Sequence, residues 1–319
     1  MRDCARRRVA GPGRVIKRPT ALVLGAGASA PFGFPSGRKL RDDIIRDLGA
    51  GSTDLYKVVA TTGSDAKHIT NFRDALQKSG QRSVDAFLER RNEFVGIGKV
   101  AIAAALIPYE KEWTLWGGDD NWYEYLFECL GPMLDDVKQS QLVVITFNYD
   151  RSFEHYFFSA LRNTYNIGTD EAARILRDVL RVIHVHGQIG PLPYADHGQG
   201  NSRGYQPADI SNLRDTAVAV APAIKIVHEG STGDAEFVQA RALLARSEMI
   251  IFLGFGYLPK NVERLGIANL STNIGLTGTA VGLLEGERAA VAQLIGHHAS
   301  LGSPHHGALE FLRTHSLLR

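Results

Sequence analysis

The apolar run Thr20-Ala21-Leu22-Val23-Leu24 passes directly into Gly25-Ala26-Gly27-Ala28-Ser29, and this junction constrains the fold more than any other stretch of the chain. A short, continuous apolar run has the length and character of a strand buried on both faces. Glycines at its end permit a tight turn and a close approach of backbone to another group. A helix reads from about Ser36 to Leu48, so the chain opens as strand, glycine turn, helix. The start of a helix beyond such a turn suits a phosphate, and Ser29 adds a hydroxyl donor. The spacing is not G-x-G-x-x-G, because Pro31-Phe32-Gly33 follows Gly25 and Gly27. On its own the turn serves equally as a nucleotide loop or as a plain connection.

Further apolar runs at Leu142–Thr146, 181–185, 217–220, Met249–Leu253 and 279–284 read as strands. Helix-like segments at 151–162, 170–179, 234–246 and 287–296 lie between most of them. This alternation predicts an α/β fold, a Rossmann-like doubly wound parallel sheet. Residues of about 50–140 read as a helical insertion. In it Val84, Phe87, Leu88, Phe94 and Val95 form one apolar stripe, and Trp122, Tyr125, Leu126, Cys129, Met133 and Val137 form another. These aromatic residues are expected in packing between helices, with the insertion forming one wall of a pocket.

Charge is unevenly distributed. Residues 1–18 carry a net +6 and the remainder −4. The first segment reads as a basic, disordered tail ahead of a 19–319 domain, and the acidic body does not resemble a nucleic-acid surface. The tail lacks the apolar core of a signal peptide, and no stretch has the length of a membrane span, so a cytoplasmic location is expected. The two cysteines, Cys4 and Cys129, form no C-x-x-C pair, which excludes a cysteine zinc site. No metal is expected. The pairs His297-His298 and His305-His306 read as loop surface, and Lys225 as a solvated side chain.

Two other strand ends carry chemistry-bearing residues. Thr146-Phe147-Asn148-Tyr149-Asp150 closes the strand at Leu142–Thr146, with Glu154 four residues on. Polar groups there are expected in the ligand crevice of an open sheet, and Asp150 or Asn148 also suits the start of the next helix. In Val182-Ile183-His184-Val185-His186-Gly187, both histidines point to one face if the backbone stays extended. His186 is the candidate functional imidazole, with Gly187 leaving room for a ligand.

Taken together these motifs resemble the sirtuin family. The family pattern is G-A-G-x-S with a following G-x-P, then T-x-N-x-D, then histidine before glycine. Here it reads Gly25-Ala26-Gly27-Ala28-Ser29, Gly33-Phe34-Pro35, Thr146-Phe147-Asn148-Tyr149-Asp150 and His186-Gly187. Ile251-Phe252-Leu253-Gly254-Phe255-Gly256-Tyr257 resembles the later strand and loop that line the NAD site. The match covers about 20–285. The four-cysteine ribbon of the protein deacylases is absent, and Ser36-Gly37-Arg38 stands where they carry Asp-Phe-Arg. The chain is therefore more similar to divergent bacterial members that hydrolyse NAD, often as toxic effectors of anti-phage defence.

The resemblance implies NAD as substrate and cleavage of its nicotinamide–ribose bond. It implies Asn148, His186 and Asp150 as catalytic residues. Gly25, Ala26, Gly27, Ser29, Gly33, Pro35, Thr146, Gly254, Phe255 and Gly256 are the implied binding residues. His186 would be a general base, Asn148 would orient a ribose hydroxyl or the attacking water, and Asp150 would stabilise positive charge or hold the loop. A homo-oligomer and a separate regulatory partner, such as an ATPase or a nucleic-acid-guided defence protein, are further expectations. The rival functions are an NAD-dependent protein deacylase and a non-catalytic sensor of NAD or ADP-ribose.

Overall fold

The computed structural model describes residues 15–195, 202–226, 234–296, 298–315 and 318. Most of the basic tail, including Cys4, lies outside the described residues, as does His297.

Six parallel strands form one sheet in the order β3-β2-β1-β4-β5-β6. They are β1 (Thr20–Leu24), β2 (Leu142–Thr146), β3 (Val182–His184), β4 (Met249–Leu253), β5 (Gly275–Gly278) and β6 (Ser300–Leu301). Every residue of β1 is buried, as its unbroken apolar run requires. Successive side chains of a strand point to opposite faces. Leu22 and Leu24 accordingly join one core with Val144, Ile251 and Leu253, while Ala21 and Val23 join a second with Ile145, Ile250 and Phe252. Helices cover both faces, so this is a Rossmann-like doubly wound α/β fold. The strand order reverses between β1 and β4, and the crevice at their carboxyl ends is where such sheets bind ligands.

Between β1 and β2 the chain is helical, and this segment packs on the first core. Its central helix, Val95–Leu106, is buried around most of its circumference, consistent with an Ala- and Ile-rich composition that has no polar face. Phe72, Phe87 and Phe94 form an aromatic cluster beside it. The helix Trp122–Cys129 buttresses the glycine turn directly. Trp122 Nε1 donates to the Ala28 carbonyl at 2.8 Å, and Tyr123 stacks on Phe32 with ring centroids 4.0 Å apart.

A buried ion pair ties this segment to the sheet. Arg151 and Glu110 are both fully buried, with Arg151 Nε 2.8 Å from Glu110 Oε1. The guanidinium also donates to the carbonyls of Pro191, Arg203 and Gly204.

Two predicted strands are corrected. Residues 217–220 form the last turn of the helix Ile210–Val220, in which Leu213, Ala217 and Val220 are buried and Val218 is exposed. The alternation of Ala and Val there is the edge of a helical stripe. Residues 279–284 are not a strand either. β5 ends at Gly278, and Thr279 and the residues after it turn across the strand ends. Glycine is needed at 278 because a side chain would overlap the Tyr257 hydroxyl and the Phe252 backbone.

Candidate active site

The three turns that follow β1, β2 and β4 meet in one cavity of about 770 Å³. Its floor is Gly25, Ala26 and Gly27, with Gly254, Phe255 and Gly256 beside them. These two turns interlock at the backbone. Gly25 N–H donates to the Leu253 carbonyl and Gly27 N–H to the Gly254 carbonyl, each at 3.0 Å. A Cβ on Gly27 would lie 2.8 Å from Gly254 Cα, and one on Gly254 would overlap Gly27 and Ala28. Gly254 also has a φ of 56°, in the left-handed region. The glycines are thus required by the contact between turns, as well as by any ligand. Among the described residues the Ala26 N–H has no hydrogen-bond partner, and Ala26 lines the cavity.

Asn148 lines the same cavity, and its orientation is fixed. Its Nδ2 donates to the Gly25 carbonyl and to Ser29 Oγ, each at 3.0 Å. A carbonyl only accepts, so the amide nitrogen must face Gly25 and Oδ1 points away. Ser29 Oγ passes its own hydrogen to Asp150 Oδ2 at 2.8 Å. From the other side the Tyr123 hydroxyl lies 2.8 Å from Ser152 Oγ, which donates to Asp150 Oδ1. Asp150 therefore ends two hydrogen-bond chains, one from Asn148 and one from the helical segment. Burial pushes its carboxyl above the ordinary value, and the Ser152 and Ser29 hydroxyls oppose that rise. Asp150 Oδ1 also accepts from the Ser152 N–H at 3.2 Å, but the N-cap of the helix Ser152–Tyr165 is Arg151, with no side-chain cap, so neither Asp150 nor Asn148 takes that position.

His186 forms another part of the wall. Its ring is 5% exposed and stands among Phe147, Phe237 and Tyr149, at centroid distances of 5.4, 5.9 and 6.4 Å. Among the described residues its Nδ1 is buried without a hydrogen-bond partner. Burial lowers its pKa below the ordinary value, against a smaller opposing pull from the Asp85 carboxylate. The ring is therefore neutral near pH 7 and available to take a proton.

His184 takes a different place. β3 ends at this residue, and a turn closed by Gly187 N–H to the His184 carbonyl at 3.2 Å breaks the extended backbone. The two histidines thus do not share a face. His184 Nδ1 lies 2.9 Å from the Asn148 carbonyl, and Nε2 lies 2.6 Å from Glu154 Oε1. Both partners are acceptors, so both ring nitrogens carry hydrogens. Burial alone would lower this pKa, but the Glu154 carboxylate and the Asn148 carbonyl outweigh it and raise it. His184 positions the Asn148 backbone and does not line the first cavity. Nor does Gly187 leave room for a ligand, since a Cβ there would overlap the Ala223 carbonyl.

The remaining predicted residues divide in the same way. Gly25, Ala26, Gly27, Asn148, His186, Gly254, Phe255 and Gly256 line one cavity. Ser29, Asp150 and Thr146 stand behind it. Ser29 spends its hydroxyl hydrogen on Asp150, and Thr146 Oγ1 accepts from the Asn148 N–H at 3.0 Å. Gly33 closes the turn after Phe32 at a φ of 90°, and Pro35 is buried in the approach to the helix Gly37–Ala50; neither lines the cavity. Lys225 is paired with Glu236 at 2.5 Å. No group of three or more candidate metal ligands occurs among the described residues. No helix among them is long and apolar enough to cross a membrane.

The helical segment supplies the opposite wall, as expected, but sequence reasoning did not find its charged residues. Asp85 and Glu89, from the helix Val84–Leu88 and its end, face the cavity, together with Asp120 and Glu310. Among the described residues no Lys or Arg lines it. Asp85 accepts a hydrogen bond from the Tyr149 hydroxyl. Glu89 is held by Arg264 at 2.7 Å and Lys260 at 2.9 Å. Burial opposes its ionisation, but these cations outweigh that and hold its carboxyl below the ordinary value. These residues lie far from any strand end, so no spacing rule singled them out.

A scan of protein-family models gives no match to the chain, and a search of curated proteins gives none.

Proposed function

We propose that the chain is an NAD glycohydrolase that releases nicotinamide and ADP-ribose. One observation carries this reading: the buried His186 imidazole, with an unpartnered Nδ1, shares a cavity wall with Asn148 beside the interlocked glycine turns. The cavity volume, about 770 Å³, lies within the usual range for small-molecule and cofactor sites.

The charge of the lining suits the same chemistry. As the bond from ribose C1′ to nicotinamide breaks, its electron pair leaves with the ring and positive charge grows on the sugar. Carboxylates at Asp85, Asp120 and Glu310 favour a positive centre over a negative one, whereas the charge of Glu89 is already met by Arg264 and Lys260. With no Lys or Arg on the lining among the described residues, the diphosphate would rest on backbone N–H groups such as that of Ala26. Asn148 Oδ1 would accept from a ribose hydroxyl or from the attacking water. That water adds its oxygen to C1′ and gives a proton to His186, neutral at pH 7 through burial. Asp150 acts through Ser29 and Ser152, holding Asn148 in place.

The test is chromatography of NAD incubated with the purified chain, with and without an acyl-lysine peptide. Nicotinamide and ADP-ribose should form without peptide. Products only with peptide would instead mean a deacylase, and binding without release of nicotinamide a sensor. A role as a toxic effector of defence belongs to the same proposal and rests on the sirtuin resemblance.

A further inference from the structure

A second cavity, of about 230 Å³, lies at the outer edge of the sheet beside β3. Its walls include Glu154, Leu176, Arg181, His184, Gln188 and Tyr194. The volume is below the range for drug-sized ligands, so the occupant has the size of one ring with a small headgroup.

The chemistry of the wall narrows the class further. Tyr194 lies flat on Phe158, with centroids 3.9 Å apart and 9° between planes. Among the described residues its hydroxyl is buried with no hydrogen-bond partner, and a buried donor is rarely left so. The Arg181 guanidinium makes no ion pair or hydrogen bond among the described residues. Arg177 also lines the cavity and is engaged by Asp178 at 3.0 Å. Among the described residues the one carboxylate on the wall, Glu154, is paired with His184. The uncommitted charge is therefore positive, beside an apolar surface formed by Val182, Leu176 and Leu192.

We propose that this second cavity binds a small aromatic anion, held by Arg181 and the Tyr194 hydroxyl, and that the ligand acts on the first cavity through His184. The link is short. Glu154 and His184 line the second cavity, and His184 Nδ1 donates to the backbone carbonyl of Asn148, which lines the first. An anion on this wall competes with Glu154 for the imidazolium and so shifts the segment that presents Asn148. The binding site stands on its own geometry, while its effect on turnover rests on the NAD reading above.

The experiment titrates the full chain with benzoate, phenyl phosphate and the neutral benzamide, followed by ligand-observed NMR and by the ring signals of His184. One of the two anions should bind saturably at one site, and the tighter one assigns a carboxylate or a phosphate headgroup. Arg181→Ala should weaken it about tenfold, the scale of one lost charge-assisted hydrogen bond, and Tyr194→Phe by a few-fold. Both variants should melt like wild type, since Arg181 is exposed and phenylalanine keeps the stack. Binding of neither anion, equal binding of benzamide, or indifference to both substitutions overturns the site. If the anion binds but the His184 signals do not move, the link is overturned. Nicotinamide release in the presence of the anion is a separate measurement. A chain that binds the anion and shifts His184 but never releases nicotinamide sinks the NAD reading and leaves the site standing.

Discussion

The two cavities flank the end of β3 and are built from opposite materials. The larger is made of backbone, with two glycine turns locked together and carboxylates opposite them. The smaller is made of side chains, with a free guanidinium and an orphaned phenol over an aliphatic wall. A backbone site has its shape fixed by the sheet, and a substitution in its floor damages the fold. A side-chain site can change its ligand without touching the sheet. One histidine, His184, belongs to the second and holds the segment that serves the first.

Breaking the backbone site should have the largest effect. Gly254→Ala puts a methyl into Gly27 and Ala28 at a φ that disfavours it, and should cost more than about 4 kcal/mol. Thermal denaturation, or failure to obtain soluble protein, reads this out. A variant that melts like wild type would mean the turns are not locked. Next come His186→Ala and Asn148→Ala, each expected to lower nicotinamide release by roughly 10²–10⁴-fold at unchanged fold. Wild-type rates in either would remove that residue from the chemistry. Because burial lowers the His186 pKa, the acid limb of the rate should fall below pH 6.5.

The Glu154–His184 pair between the two cavities comes third. The folded pKa of His184 is raised above 6.5, so its pairing stabilises fully below that pH, and the stability is lost as pH climbs through the folded value. Glu154→Gln should cost about 2 kcal/mol in acid and less in alkali. A pH-independent cost in denaturant titrations would mean that the ring is neutral. Asp85→Asn keeps an acceptor for Tyr149 and removes the charge, so turnover should drop on the order of tenfold with little change in melting. The smallest effect is expected of Arg181→Ala without ligand, within about 0.5 kcal/mol in stability, since the side chain is exposed.

The inner strands were legible because burial on both faces demands unbroken apolar runs, as in Thr20–Leu24 and Met249–Leu253. Gly275–Gly278 was not, because a strand of Gly-Leu-Thr-Gly has almost no strand formers and owes its place to pairing with β4. The Ala and Val of 217–220 misled because a short run cannot separate a period of two from the edge of a helical stripe. The meeting of Asn148 and His186 in one cavity was expected from the strand-end rule. What that rule cannot supply is depth. Ser29 and Asp150 sit one layer behind the surface, and Asp85 arrives from a helix remote in sequence.

The Arg151 guanidinium reaches three separate stretches of chain at once: Glu110, the Pro191 carbonyl, and the carbonyls of Arg203 and Gly204. Removing that cation from water before its acceptors are assembled is strongly unfavourable, whereas the completed set satisfies it. The three stretches therefore satisfy this charge only together, and losing any one of them would leave a cation in the core short of acceptors.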